Sequence, residues 1–443
     1  MALAVIVPAL APSLTPVLFA QASAPAAIGK YNGAGSCAAS SCHGSVQPKT
    51  VTRIFQNEYT IWAGQDKHAN AFSVLSNPVS LRIGRILKIG RPDQAQKCLI
   101  CHSLDVPKEK RAQTFGMEDG VSCENCHGPA SGWLGPHTTA NWPHLKSDEL
   151  GMYDTRDLMK RSAKCATCHV GSAQQFVDHD MIAAGHPDLT FELGYFTKAM
   201  PQHWKRPQDM PWFEVRAWSV SQATQLSEAL RRLSWRAGLP TWPEFAEMDC
   251  IACHHSLTMP EKSWRQELGY PDRRPGTAPW NASRYVVFRH LASAVDPEAE
   301  RQLGADIAKI TDLMSHPAGK GAEIAASASH GADLAGRIAQ QLNTRSYDQA
   351  FTLRLLRAIA QDDSIANHGE RSAEQAYMSL DSLFDSYRMN AKPGDDQQVQ
   401  AAISSLFQQL NDPSAYNAPR FAAGMQRVSA LLGRQGSSSG GSR

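Results

Sequence analysis

The sequence predicts a mainly α-helical protein in two parts, an N-terminal region of short helices and loops followed by a C-terminal helical bundle. Two observations predict it. All ten cysteines lie between Cys37 and Cys253, in a stretch rich in Gly, Pro, Trp and His that carries only short helical patterns. Beyond about Trp280 no cysteine occurs, and apolar residues recur with the 3.6-residue period of amphipathic helices.

The chain opens on an almost wholly apolar run, Met1 to Ala20, followed by Ala20-Gln21-Ala22 and Ala22-Ser23-Ala24, which offer small-x-small cleavage sites. Pro8, Pro12 and Pro16 suit an export signal better than a membrane helix. No Lys or Arg precedes the run, and the alternative is an uncleaved N-terminal anchor. Residues 1–24 are therefore expected to be a signal peptide, and the protein periplasmic or otherwise extracytoplasmic. No other segment holds 18 consecutive apolar residues.

The cysteines come next. Four sets are C-x-x-C-H: Cys98, Cys101 and His102; Cys123, Cys126 and His127; Cys165, Cys168 and His169; Cys250, Cys253 and His254. The fifth is wider, CAASSCH, with Cys37, Cys42 and His43. Zinc sites, redox pairs and disulfides also use paired cysteines, but none of them requires a histidine directly after the second. Haem attachment does. Two thiols add to the two vinyl groups of one haem, and the following histidine reaches the iron as proximal ligand. Five covalently bound haems c are expected, in a domain spanning 25–280. Such attachment happens outside the cytoplasmic membrane, in agreement with the export signal.

The formal charge of +2 is nearly neutral and implies no nucleic-acid partner. Each haem would add two propionates, which makes the loaded protein more acidic than its sequence.

In the C-terminal part, Asp296-Pro297-Glu298 reads as a helix start, with a capping Asp and Pro in the first turn. Ser346 is placed to cap a helix with Phe351, Leu355 and Ile359 on one face. Ile403, Leu406, Phe407 and Leu410 follow the i, i+3, i+4, i+7 rule, and Pro419 opens a last helix with Met425, Val428 and Leu432. Residues 281–434 are expected to form a helical domain, and 435–443 a disordered tail. A further amphipathic stretch, Phe213 to Trp235 with Trp218, Leu226, Leu230 and Leu233, precedes it.

Of the 16 histidines, five are in the motifs, which leaves eleven as possible distal ligands. Their number matters, because an iron with two histidines is coordinatively full and suited to electron exchange, whereas an open sixth position can bind a substrate. The order CAASSCHG, Trp62-x5-His68-Ala69, CLICH, GVSCENCHGP with His137 ten residues on, then CATCHVG, resembles the tetrahaem cytochrome c of ammonia oxidisers. More broadly it is similar to the superfamily that includes hydroxylamine oxidoreductase and octahaem reductases. The run HDMIAAGHPDLTFELGYF, His179 to Phe196, resembles multihaem cytochromes with an appended helical region. The resemblance spans roughly residues 35–290 and says nothing of the rest.

The resemblance implies crossed ligation. His68 would serve the haem on His127, and His137 the haem on His43, with His144 as the alternative to His137. His186 would serve the haem on His169. The haem on His102 is five-coordinate in the tetrahaem relative, and an open iron is expected there. The fifth haem, on His254, has no counterpart, and His179, His203 and His290 are the candidates. His255 is poorly placed to reach the opposite face of the same iron. His316, His330 and His368 lie in polar settings of the helical part and read as solvent histidines.

Five closely spaced haems point to electron transfer, with other cytochromes or a membrane quinol-linked complex as redox partners. Membrane association would come through such a partner or an uncleaved N-terminus. The alternative is an oxidoreductase acting on a small nitrogen or sulfur oxide at an open haem. Against it, no C-x-x-C-K motif is present, and the crosslinked haem of hydroxylamine oxidoreductase has no visible equivalent.

Overall fold

The computed structural model describes residues 29–139, 142, 148–207, 210–254, 278–391, 396–412 and 415–434. The expected signal peptide, His144, His255 and the C-terminal tail lie outside them. The protein is mainly helical. Among the described residues there is no strand, only the isolated bridges Tyr31–Arg111 and Met248–Trp280.

Among the described residues, the N-terminal part carries seven short helices: α1 (Glu58–Gln65), α2 (Pro78–Ile86), α3 (Gln96–His102), α4 (Cys123–His127), α5 (Leu158–Ala166), α6 (His179–Ala184) and α7 (Leu193–Ala199). Helices this short are marginal on their own. Side-chain caps start several of them. Asn77 accepts from Ser80 N at 2.8 Å, Asp157 from Met159 N at 2.8 Å, and Asp178 from Met181 N at 2.9 Å. Glu192 accepts from Gly194 N at 2.8 Å and Tyr195 N at 2.7 Å. The buried apolar residues here are few, and the clusters they form are small: Leu75 with Cys98 and Leu99, and Ala166 with Val170, Phe191 and Leu193, the latter set packing on Ala229 of the long helix that follows.

The large core lies in the second part: α8 (Phe213–Ala237), α9 (Ser283–Val295), α10 (Pro297–Met314), α11 (Gly321–Thr344), α12 (Gln349–Ala360), α13 (Asp363–Asn367), α14 (Glu370–Asn390), α15 (Asp396–Phe407) and α16 (Ala418–Arg434). Helix α8, read from the sequence as part of the N-terminal region, packs most extensively along α11. Small residues on α11, among them Ala328, Gly331, Ala332 and Ala335, let the two helices approach. A Cβ at Gly331 would meet the Cδ1 atoms of Leu230 and Leu303, each at 3.2 Å. Ser227 and Ser234 of α8 donate to the carbonyls of Ala332 at 2.8 Å and Ala325 at 2.9 Å.

Most start signals hold. Asp296 caps α10 through Ala299 N at 3.0 Å with Pro297 at its first position. Helix α12 departs from expectation, because Asp348 rather than Ser346 is its cap and accepts from Phe351 N at 2.7 Å. Its face of Phe351, Leu355 and Ile359 is buried as read. On α15, Ile403 and Leu406 are fully buried but Phe407 is 45% exposed. The helix ends at Phe407, and its ring lies against Tyr377 at 5.3 Å instead of entering the core.

The two parts are stitched together by polar contacts. Buried Glu192 accepts from Ser382 Oγ on α14 at 2.7 Å, and Thr190 Oγ1 meets Glu374 at 2.9 Å.

Candidate haem-binding sites

Each attachment motif occupies a helical turn or helix end. The wide motif follows a short turn, Ala34–Cys37, and absorbs its two extra residues by folding back. Cys42 N donates to Ala39 O at 2.8 Å and His43 N to Cys37 O at 3.2 Å. The motifs of Cys98 and Cys123 lie on α3 and α4. In the fourth, α5 widens into a π-turn, Thr167–Gly171, that carries Cys168 and His169, a local distortion that recurs at functional sites. The fifth begins in a short turn, Cys250–Ala252. After the third motif the chain needs a glycine. Gly128 has φ +78°, and a Cβ there would stand 2.4 Å from Gly151 O, where the 151–153 segment passes over α4. No two of the ten cysteines are joined in a disulfide.

Four pairs of histidine rings stand at nearly the same spacing. His43 and His137 have ring centres 6.2 Å apart, His68 and His169 6.0 Å, His102 and His186 6.3 Å, and His179 and His254 6.2 Å. Two imidazoles that each bind one metal through a nitrogen at about 2 Å have ring centres roughly 6 Å apart. Rotation about the axis through the metal leaves that distance unchanged, so the interplanar angles are free to differ. They are 7° for His43 with His137, 31° for His179 with His254, 84° for His68 with His169 and 87° for His102 with His186.

The other ring nitrogen is tied down in many of these residues, as metal-binding histidines require. The Nδ1 atom of His43 pairs with Glu58 at 2.9 Å and that of His68 with Asp66 at 3.0 Å. Backbone carbonyls receive Nδ1 of His102 (Ala71 O, 2.8 Å), His137 (Leu134 O, 2.7 Å) and His186 (Pro187 O, 2.7 Å). Such bonds leave Nε2 as the nitrogen available to a metal. Burial pushes both His127 and His169 down to about 4, which keeps both imidazoles neutral, the form that binds metals.

Relative to the sequence expectations, His43 and His137 come together as the resemblance implied. His68 does not face His127; it faces His169. His186 does not face His169; it faces His102, where an open site was expected. His179 alone of the three candidates meets His254. His290 is turned elsewhere, its Nε2 2.7 Å from Asp362. His203 has its Nδ1 3.2 Å from Pro201 O, and of the charged groups acting on His127 its contribution is the largest. Of the helical-part histidines, His330 bonds Asp306 at 2.6 Å and His368 bonds Ser364 O at 2.7 Å.

One short helix explains two of the pairs. Asp178 caps α6, which puts His179 at its first position. Gly185 closes the helix in the left-handed region at φ +110°, and His186 follows at once. The two histidines therefore leave opposite ends of one six-residue helix. Sequence reasoning missed the carboxylates of Glu58 and Asp66. Asp66 lies two residues from its histidine, in a pattern that short spacing could have revealed, whereas Glu58 is fifteen residues from His43.

Thiols of different motifs also lie side by side. The Cys37 and Cys123 thiols lie close enough to perturb each other's protonation, as do those of Cys101 and Cys168. The sites built on His43 and His127 are therefore neighbours, as are those on His102 and His169. Electrostatic contact of Cys126 with both Cys165 and Cys168 joins the two pairs.

Attachment thiols, paired imidazoles and anchored Nδ1 atoms together fit haem c. Residues 36–128, which span the first three motifs, match the family described as cytochrome c554 and c-prime. This likeness supports a c-type cytochrome with covalently bound haem and a haem-based electron-transfer role. No match is found among curated proteins or solved structures. No helix among the described residues is long and apolar enough to cross a membrane.

Proposed function

We propose that the protein is an extracytoplasmic electron carrier with five haems, each held between two histidines. The observation that carries this reading is the common 6.0–6.3 Å spacing of four histidine pairs. His127 is the remaining motif histidine, and His203 is its proposed partner. The haems supply one-electron chemistry. The paired histidines would hold each haem iron, with the imidazoles of His43, His68, His102, His137 and His186 oriented through Nδ1, and the chain would keep the sites adjacent. The thiol contacts and α6 support an order along the chain of sites His43, His127, His169, His102 and His254, the last step through the helix that bears both His179 and His186. Redox partner proteins would dock near either end of this row, and residues 1–24 would direct export.

The paired geometry at His102 favours a carrier over an enzyme with an open iron. Carbon monoxide added to the reduced holoprotein tests this. Five low-spin haems that do not bind carbon monoxide are expected, and His186→Ala should create one high-spin haem that does. A wild-type protein with one high-spin, carbon monoxide-binding haem would overturn the reading. Pyridine haemochrome and intact mass should both count five haems per chain.

A further inference from the structure

Four guanidinium groups converge on one cavity between the fourth and fifth motifs. Arg232 and Arg236 come from α8, Arg284 from α9 and Arg371 from α14, and only the carboxylates of Glu247 and Asp188 share the cavity with them. The cavity touches both motifs. Arg232 donates to the carbonyl of Val170, the residue after His169, and Arg371 Nη2 lies 3.4 Å from Cys250 Sγ.

The charges do not balance. Glu247 is buried and takes both Arg232, at 2.7 and 2.9 Å, and Arg236, at 2.8 Å. Asp188 pairs with Arg371. The hydrogen bonds of Arg284 go to neutral acceptors: Leu189 O at 2.8 Å, Gln225 Oε1 at 3.1 Å and Phe191 O at 3.3 Å. In the cavity lining four cations thus face two carboxylates, with Glu244 acting on Arg232 and Arg236 and Glu374 on Arg371 from beside it, so that Arg284 is the cation bonded to no carboxylate. Burial, with Arg232 adding to it, pushes the Arg284 guanidinium down to about 9. An uncompensated desolvated charge is costly, and the planar fork of arginine matches a carboxylate. Every haem brings two carboxylates that the protein must place.

We propose that this cavity receives propionate carboxylates of the haems attached at Cys165–His169 and Cys250–His254, so that the helical bundle supplies their counter-charge through Arg284 and Arg371. The inference rests on the proposed haem reading. It assigns the C-terminal part a role in tuning the haems, beyond that of a scaffold.

The test uses holoprotein carrying Arg284→Leu, Arg284→Lys or Arg371→Leu. Haem content is counted first. Fewer than five haems in the wild type would break the underlying haem reading, whereas a full count leaves the present proposal to the remaining measurements. Optical redox titration should then show one or two midpoints displaced to lower potential in R284L and R371L. Loss of a positive charge beside the propionates makes reduction less favourable. R284K, which keeps the charge, should lie nearer the wild type. Should R284L lose haem, R371L and R284K decide the matter by the same titration. Resonance Raman bands of the propionates should move in the same variants. Unchanged midpoints and bands at full haem content would overturn the proposal. So would saturable stabilisation of the wild type by inorganic phosphate that R284L abolishes, because the cavity would then take a free oxyanion.

Discussion

At the scale of single residues, the groups behind the imidazoles matter as much as the imidazoles. Glu58 accepts from Phe55 N at 2.8 Å and Gln56 N at 3.1 Å while its other oxygen holds His43. Burial pushes the Glu58 carboxyl up, but His43 and these amides outweigh it and hold the group below the ordinary carboxylate range. An anion behind a ligating imidazole increases its basicity and favours the oxidised metal. Glu58→Gln should therefore raise the midpoint of the haem proposed on His43, opposite in sign to the arginine variants. It should also cost about 1 kcal/mol of stability through weakened hydrogen bonds. A redox titration in which no midpoint rises would refute the role. The motif histidines were legible because attachment chemistry is local in sequence. Their partners were not, because a distal histidine is selected by tertiary distance: His68 and His186 were both singled out, yet each faces a different motif from the one the resemblance implied.

At the scale of elements, the long helices of the second part are legible because period and caps agree, as at Asp296 and Pro297. Where two polar residues compete two positions apart, as Ser346 and Asp348 do before α12, periodicity alone does not choose between them. The turn between α12 and α13 shows what such positions can add. Asp362 caps α13 through Ser364 N at 3.2 Å and also binds Arg289 and His290 of α9, so one carboxylate joins two helices. Burial raises its pKa, but His290, Ser364 and Arg289 together drive it well below the ordinary value. A carboxyl held lower in the folded state contributes stability that is fully present above its unfolded value of about 4 and is lost as pH falls through the lowered folded value. Asp362→Asn should thus cost about 2 kcal/mol at neutral pH. The deficit should shrink as the pH is brought below about 4, where the wild type begins to lose the same contribution. Denaturant melts of both proteins at pH 7 and pH 3 measure this, and a deficit independent of pH would show that the ion pairs are not its source.

At the scale of the whole molecule, the apolar core is distributed unevenly. Helices α8 to α16 share one large cluster that includes Trp218, Leu226, Leu230, Phe288, Leu303, Phe384 and Phe421. The region before α8 has two small clusters and helices of five to nine residues. The composition of this region, rich in Gly, Pro and His, foreshadowed that contrast. The sequence did not reveal that α8 would join the later helices, because an amphipathic face shows that a helix buries one side but not which partner covers it. Large apolar cofactors crosslinked through thiols and histidines are the natural substitute for a core in the first region, whereas the bundle has a core of its own. A chain made without haem attachment, for instance with all ten cysteines replaced by serine, should accordingly be folded in one part only. Circular dichroism should retain the helix signal of residues 213–434, and limited proteolysis should degrade the region before about residue 207 while sparing the bundle. The holoprotein should resist throughout. The bundle of the haem-free chain should also melt at a lower temperature than in the holoprotein, because Arg284 would be left without the carboxylate proposed to balance it. If the haem-free chain resisted protease across residues 29–207 as the holoprotein does, the first region would have to fold on its own contacts, and the substitution of cofactor for core would be wrong.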